Sequence, residues 1–89
     1  MITSDQIRAA RALLRWSAKT LSEESGVSLP TIQRMEVASG VPKGLSRNLD
    51  AIQRTLERAG ILFIDEDGGL FIDEDGGGFG VRLRDRRGR

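Results

Sequence analysis

The side chains best able to do chemistry crowd into one duplicated segment. Leu62-Phe63-Ile64-Asp65-Glu66-Asp67-Gly68-Gly69 recurs without change as Leu70 to Gly77, so each copy carries three consecutive acids. Carboxylates at that density invite a calcium reading. An EF-hand loop, however, needs oxygen ligands at its first, third and fifth positions, and Gly69 falls at the fifth. Paired carboxylates also serve glycosidases, but here they sit in turn-like sequence with no surrounding cleft residues. The chain has no Cys and no His, which removes disulfides, Cys/His zinc sites, thiolate nucleophiles and imidazole acid/base catalysis. The expectation is a protein that is not an enzyme, with no metal, no cofactor and no evident small-molecule ligand.

Charge distribution is more informative than the formal total of +1. Residues 1–60 carry 9 Lys/Arg against 6 Asp/Glu, residues 61–80 carry none against 6, and residues 81–89 carry 5 against 1. The chain thus has a mildly basic body, an acidic segment and a basic tail. At 89 residues there is room for one small core, built with three Phe, one Trp and no Tyr. The longest uninterrupted apolar run is Ile61 to Ile64, far short of the roughly 20 residues of a membrane span. The Asp5-bearing start lacks a signal-peptide h-region. A cytoplasmic protein that does not engage membranes is expected.

Local signals place five or six elements. Thr3 and Gln6 have capping-box spacing, and Ile7, Ala10, Leu13 and Leu14 recur at helical intervals, predicting a first helix over about 3–15. Ser17 is a cap for a short second helix that Gly26 stops, and Ser28 is a cap for a third over Leu29 to Val37, with Pro30 tolerated in its first turn. Residues 38–45 read as a loop; Ser46 then caps a fourth helix whose stripe Leu49, Ile52 and Leu56 ends at Gly60. Beyond Gly60 the period changes to 2, with Ile61 to Asp65 and Val81 to Leu83 as strands around turn chemistry. Two repeat copies are too few for a solenoid, so a meander of two or three strands is expected.

Two short helices around a tight Gly turn have the proportions of a helix-turn-helix. The ordered string Leu13-Leu14-Arg15-Trp16-Ser17, Leu21, Ser25-Gly26-Val27-Ser28 and Thr31-Ile32-Gln33-Arg34-Met35-Glu36, followed by an amphipathic helix to Gly60, resembles the Cro/repressor-like (XRE) family of DNA-binding domains over residues 4–60. The resemblance implies a mainly α chain: a four- to five-helix, lambda-repressor-like helix-turn-helix domain over 1–60. A short C-terminal β-hairpin or meander follows over 61–84, and a basic tail over 85–89.

It further implies a cytoplasmic regulator of transcription, a repressor or autoregulator, that reads an inverted repeat in double-stranded DNA. Leu21, Val27, Ile32 and Met35 then look inward. Ser28, Leu29, Pro30, Thr31, Gln33 and Arg34 are left for the bases, where Arg34 suits guanine and Gln33 suits adenine. Ser17, Lys43, Ser46 and Arg47 fall to the phosphates, and Arg11 pairs with Glu36 as a structural tie. Ala18 stands where the family usually has a phosphate-bridging Gln, and Leu29 where a polar base reader is common. Both departures leave open a rival reading, a protein-binding module of the same fold acting as an antiactivator or antitoxin. Ile61, Phe63, Phe71, Val81 and Leu83 are expected to build a homodimer, because an isolated hairpin is marginal and a second chain supplies edge partners and area. The competing expectation is a meander folded over helix 4 of the same chain.

Overall fold

The computed structural model describes residues 2–38, 40, 46–64 and 80–84. Within them the chain is mainly helical: α1 (Ser4–Leu14), α2 (Ala18–Ser25), α3 (Leu29–Val37) and α4 (Ser46–Arg58), then β1 (Ile61–Ile64) and β2 (Gly80–Leu83). No helix among these residues is long and apolar enough to cross a membrane.

Capping chemistry sets the helix starts. The Thr3 hydroxyl accepts from the Gln6 amide at 3.1 Å, and the Gln6 side-chain oxygen accepts from the Thr3 amide at 2.8 Å, closing the reciprocal capping box that opens α1. Ser17 and Ser28 are the N-caps of α2 and α3. α4 begins at Ser46, the residue expected to cap it.

The helix ends follow two routes. Gly26 stops α2 at φ +78°, a conformation that costs glycine nothing. α1 stops at Arg15 with φ +59°, a left-handed turn taken by a residue with a Cβ.

Ile7, Ala10, Leu21, Val27, Ile32, Met35, Leu49, Ile52, Leu56 and Ile61 form one core, to which Ile2 adds a contribution from before the first helix. Leu13 departs from the expected stripe and is 42% exposed. At 100° per residue it lies about 100° around the helix from Leu14 and 120° from Ile7, off the line through Ile7, Ala10 and Leu14.

β1 and β2 pair antiparallel, Ile61 opposite Leu83 and Phe63 opposite Val81. Because strand side chains alternate, those four share one face, and that face meets the helical core. Four residues of the expected homodimer set thus meet the helices of their own chain. Ile61 is fully buried in its own protomer, and Phe63, Val81 and Leu83 pack on the same core. α1 and α4 offer them a surface within the chain, and burying Ile61 there is worth about 1.5 to 3 kcal/mol. Leu62, Ile64 and Arg82 stand on the opposite face. Phe71, and with it the second repeat copy, lies outside the described residues.

Gln6 joins the two parts. Beyond its cap bond, its amide donates to the carbonyls of Ile64 at 3.0 Å and Gly80 at 2.9 Å, one on each strand. A single buried side chain therefore opens α1 and clamps the hairpin.

Candidate nucleic-acid interface

α3 is held from behind and at its C-terminal end. Its inner positions Ile32 and Met35 are buried, spaced by a helical turn. The last carbonyls of a helix have no partner inside it, and here α1 supplies them. The Ser4 hydroxyl donates to the Met35 carbonyl at 2.5 Å, and the Arg8 guanidinium donates to the Glu36 carbonyl. The Ser4 amide also donates to the Gly40 carbonyl at 2.9 Å, fixing the chain just past α3.

The strongest tie is the fork between Arg11 and Glu36. Arg11 Nε lies 2.6 Å from Glu36 Oε2 and Nη2 lies 2.7 Å from Oε1, while Nη1 donates to the Trp16 carbonyl at 2.9 Å. Two parallel charge-assisted bonds fix the mutual orientation of the helices as well as their distance. The side chains are only 22% and 10% exposed. The hydrogen bond to Glu36 pushes the Arg11 guanidinium above its ordinary value; burial opposes that rise, and the charge of Glu36 adds to it. A raised arginine pKa keeps the pair charged up to and beyond the alkalinity at which a free guanidinium begins to titrate.

The turn before α3 is equally constrained. Ser22 donates to the Val27 carbonyl at 2.6 Å, and the Val27 amide donates to the Ser25 hydroxyl at 3.1 Å. With Gly26 in the left-handed region and Val27 buried, α2 and α3 meet at one set angle.

What this scaffold turns outward is the first two turns of α3. Ser28, Pro30, Gln33 and Arg34 are exposed, and Leu29 and Thr31 are half-buried. The six expected base readers therefore stand together. They are also partly ordered among themselves: the Ser28 hydroxyl donates to the Thr31 hydroxyl at 2.8 Å, and Arg34 Nη2 donates to the same oxygen at 3.2 Å. Val37, which no sequence signal singled out, continues the outer row two turns beyond Pro30 and is 83% exposed.

The expected phosphate set is more dispersed. Ser17 caps α2, its hydroxyl accepting from the Thr20 amide at 3.0 Å. Arg47 shares a shallow depression of about 340 Å3 with Ser25 at the other end of that helix. Eight residues of helix, about 12 Å, separate the two ends. Only an extended anion can meet both. Ser46 is exposed at the start of α4, and Lys43 lies outside the described residues.

Two features carried no sequence signal. Arg8 looks like a surface cation but caps α3, and Gln6 looks like a local cap but spans to both strands. Each acts on residues far along the chain. Among the described residues, no group of three or more acidic, Cys or His side chains is placed to hold a metal ion. Comparisons with protein-family models, with curated proteins and with solved structures found no match.

Proposed function

We propose that this chain is a non-catalytic regulator that binds double-stranded DNA through α3, with α2 and α3 acting as a helix-turn-helix of the Cro/repressor-like kind. One observation carries the reading. α3 is tied to α1 through Met35, Glu36 and the Arg11 fork, while Gln33 and Arg34 are left exposed on the other side. A helix so backed can enter a groove about 12 Å wide without losing its packing. Gln33 and Arg34 match the adenine and guanine edges there, and Ser28, Leu29, Pro30 and Thr31 supply a hydroxyl and apolar contact for thymine methyls.

A homodimer fits this function, since two copies would read an inverted repeat with half-sites one turn apart, about 34 Å. With Ile61, Phe63, Val81 and Leu83 turned to their own helices, the side of the hairpin left for a second copy is the one bearing Leu62, Ile64 and Arg82.

A second reading is favoured by a specific observation. Leu29, Gln33 and Val37 are spaced four residues apart, so two apolar side chains flank Gln33 on the outer row, and Val37 is largely exposed. A protein partner could use that row. Salt separates the two readings. Binding to duplex DNA is expected to weaken steeply as salt rises, because phosphate contacts release counterions; an apolar protein interface lacks that slope. A duplex affinity that is flat in salt contradicts the DNA reading.

A further inference from the structure

We infer that a row of arginines along α4 is a second contact for the phosphate backbone, gripping duplex that flanks the segment read by α3. The inference rests on the DNA reading of α3 and extends it to a different element. Arg47, Arg54 and Arg58 are 7 and 4 residues apart, which at 100° per residue brings them within about 20° of one line on the helix. Two adjoining depressions record the row. The first is lined by Ser25, Arg47, Asp50, Arg54, Thr55 and Arg58, and the second by Arg54, Glu57, Arg58 and Arg84. They share Arg54 and Arg58, so one surface runs from the end of α2 to the residue after β2.

Charge and length both suit a polyanion. Four exposed arginines face two carboxylates there. Arg47 to Arg58 spans about 16 Å, long enough to face more than one phosphate of a strand. Asp50 holds Arg54 at 3.0 Å, but the pair is 52% and 70% exposed, and such an i,i+4 pair contributes only about 0.3 to 0.5 kcal/mol. An incoming phosphate displaces it readily.

The lining also argues against a protein partner. Ala51 is its one apolar member, whereas protein interfaces anchor on buried aromatic and aliphatic side chains. Phosphate contacts need no apolar anchor. The end at Ser25 adjoins the turn that leads into α3.

The test compares duplex affinity as a function of salt for the full chain, Arg54→Ala/Arg58→Ala and Arg34→Ala. The double alanine variant is expected to flatten the slope of log K against log salt by about 2, near 0.9 per lost contact, and to weaken selected and random duplexes alike. Arg54→Lys/Arg58→Lys is expected to restore the slope, and Arg34→Ala to weaken the selected duplex alone. The substituted side chains are exposed, so an unchanged thermal midpoint is expected. Wild-type binding with an unaltered slope in the double alanine variant overturns the α4 row and leaves the α3 reading standing. A wild type that binds no duplex removes the α3 reading, and the row with it. Capture of a poly-glutamate peptide that the double alanine variant loses, with duplex binding intact, overturns the row in favour of an acidic protein partner.

Discussion

The two faces of α3 are built on opposite principles. On the inner face and at the C-terminal carbonyls, Met35 and Glu36 engage groups of another helix: Ser4, Arg8 and Arg11. On the outer face, Ser28, Thr31 and Arg34 bond among themselves, and Gln33 is exposed. The first arrangement fixes where the helix is, and the second leaves its outer side chains uncovered. On the proposed reading, stability and recognition are assigned to different faces of a nine-residue helix.

If that division holds, substitutions on the inner side should act on folding and those on the outer face on binding. The largest effect is expected from Arg11→Ala. Removing one partner of a largely covered pair leaves Glu36 uncompensated and frees the Trp16 carbonyl, costing about 2 to 4 kcal/mol. Thermal unfolding of the free protein measures it, with a fall of about 4 to 8 °C per kcal/mol for a domain of this size. An unchanged midpoint would mean the fork does not hold α3.

Next comes Gln6→Ala, which removes the capping-box return and the clamp on both strands together. A loss of about 2 kcal/mol is expected. Hydrogen exchange sharpens the point: amides of β1 and β2 should lose protection more than those of α2, and equal loss everywhere would reduce Gln6 to an ordinary cap. On the outer face, Arg34→Ala should leave stability within about 0.5 kcal/mol of wild type while lowering affinity for a selected duplex by about 1 to 3 kcal/mol. A stability loss as large as that of Arg11→Ala would erase the distinction between the two faces.

The smallest effect is expected at Arg15, whose left-handed backbone puts strain on a residue with a Cβ. Arg15→Gly should raise stability by about 0.5 to 1 kcal/mol, since glycine relieves that strain at a helix end. A loss would show that the Arg15 side chain contributes more than its backbone costs.

What could be read from the chain, and what could not, follows the range of each interaction. Thr3 with Gln6, Ser17, Ser28 and Gly26 act within four residues of themselves, so their types and spacing announce the caps and the stop before any fold is known. The outer face of α3 is legible for the same reason, because burial of Ile32 and Met35 decides which way Gln33 and Arg34 point. Arg8 on Glu36 and Gln6 on Gly80 bridge 28 and 74 residues, and no local pattern distinguishes them from surface polar residues. The hairpin shows the middle case. Alternation places Ile61, Phe63, Val81 and Leu83 on one face, yet alternation alone is silent on whether a second chain or the protomer's own helices receive it. The left-handed Arg15 has no signal in residue type, since glycine is what such a position normally announces.

The central claim, that the exposed turns of α3 read base sequence in duplex DNA, is tested most directly by selecting bound duplexes from a random pool with the wild-type chain and with Arg34→Ala. The expected result is an enriched inverted repeat whose half-sites lie about one helical turn apart, with preference lost at one base of each half-site in the variant. Recovery of no enriched sequence by the wild type, or of the same repeat with undiminished preference by Arg34→Ala, would contradict it.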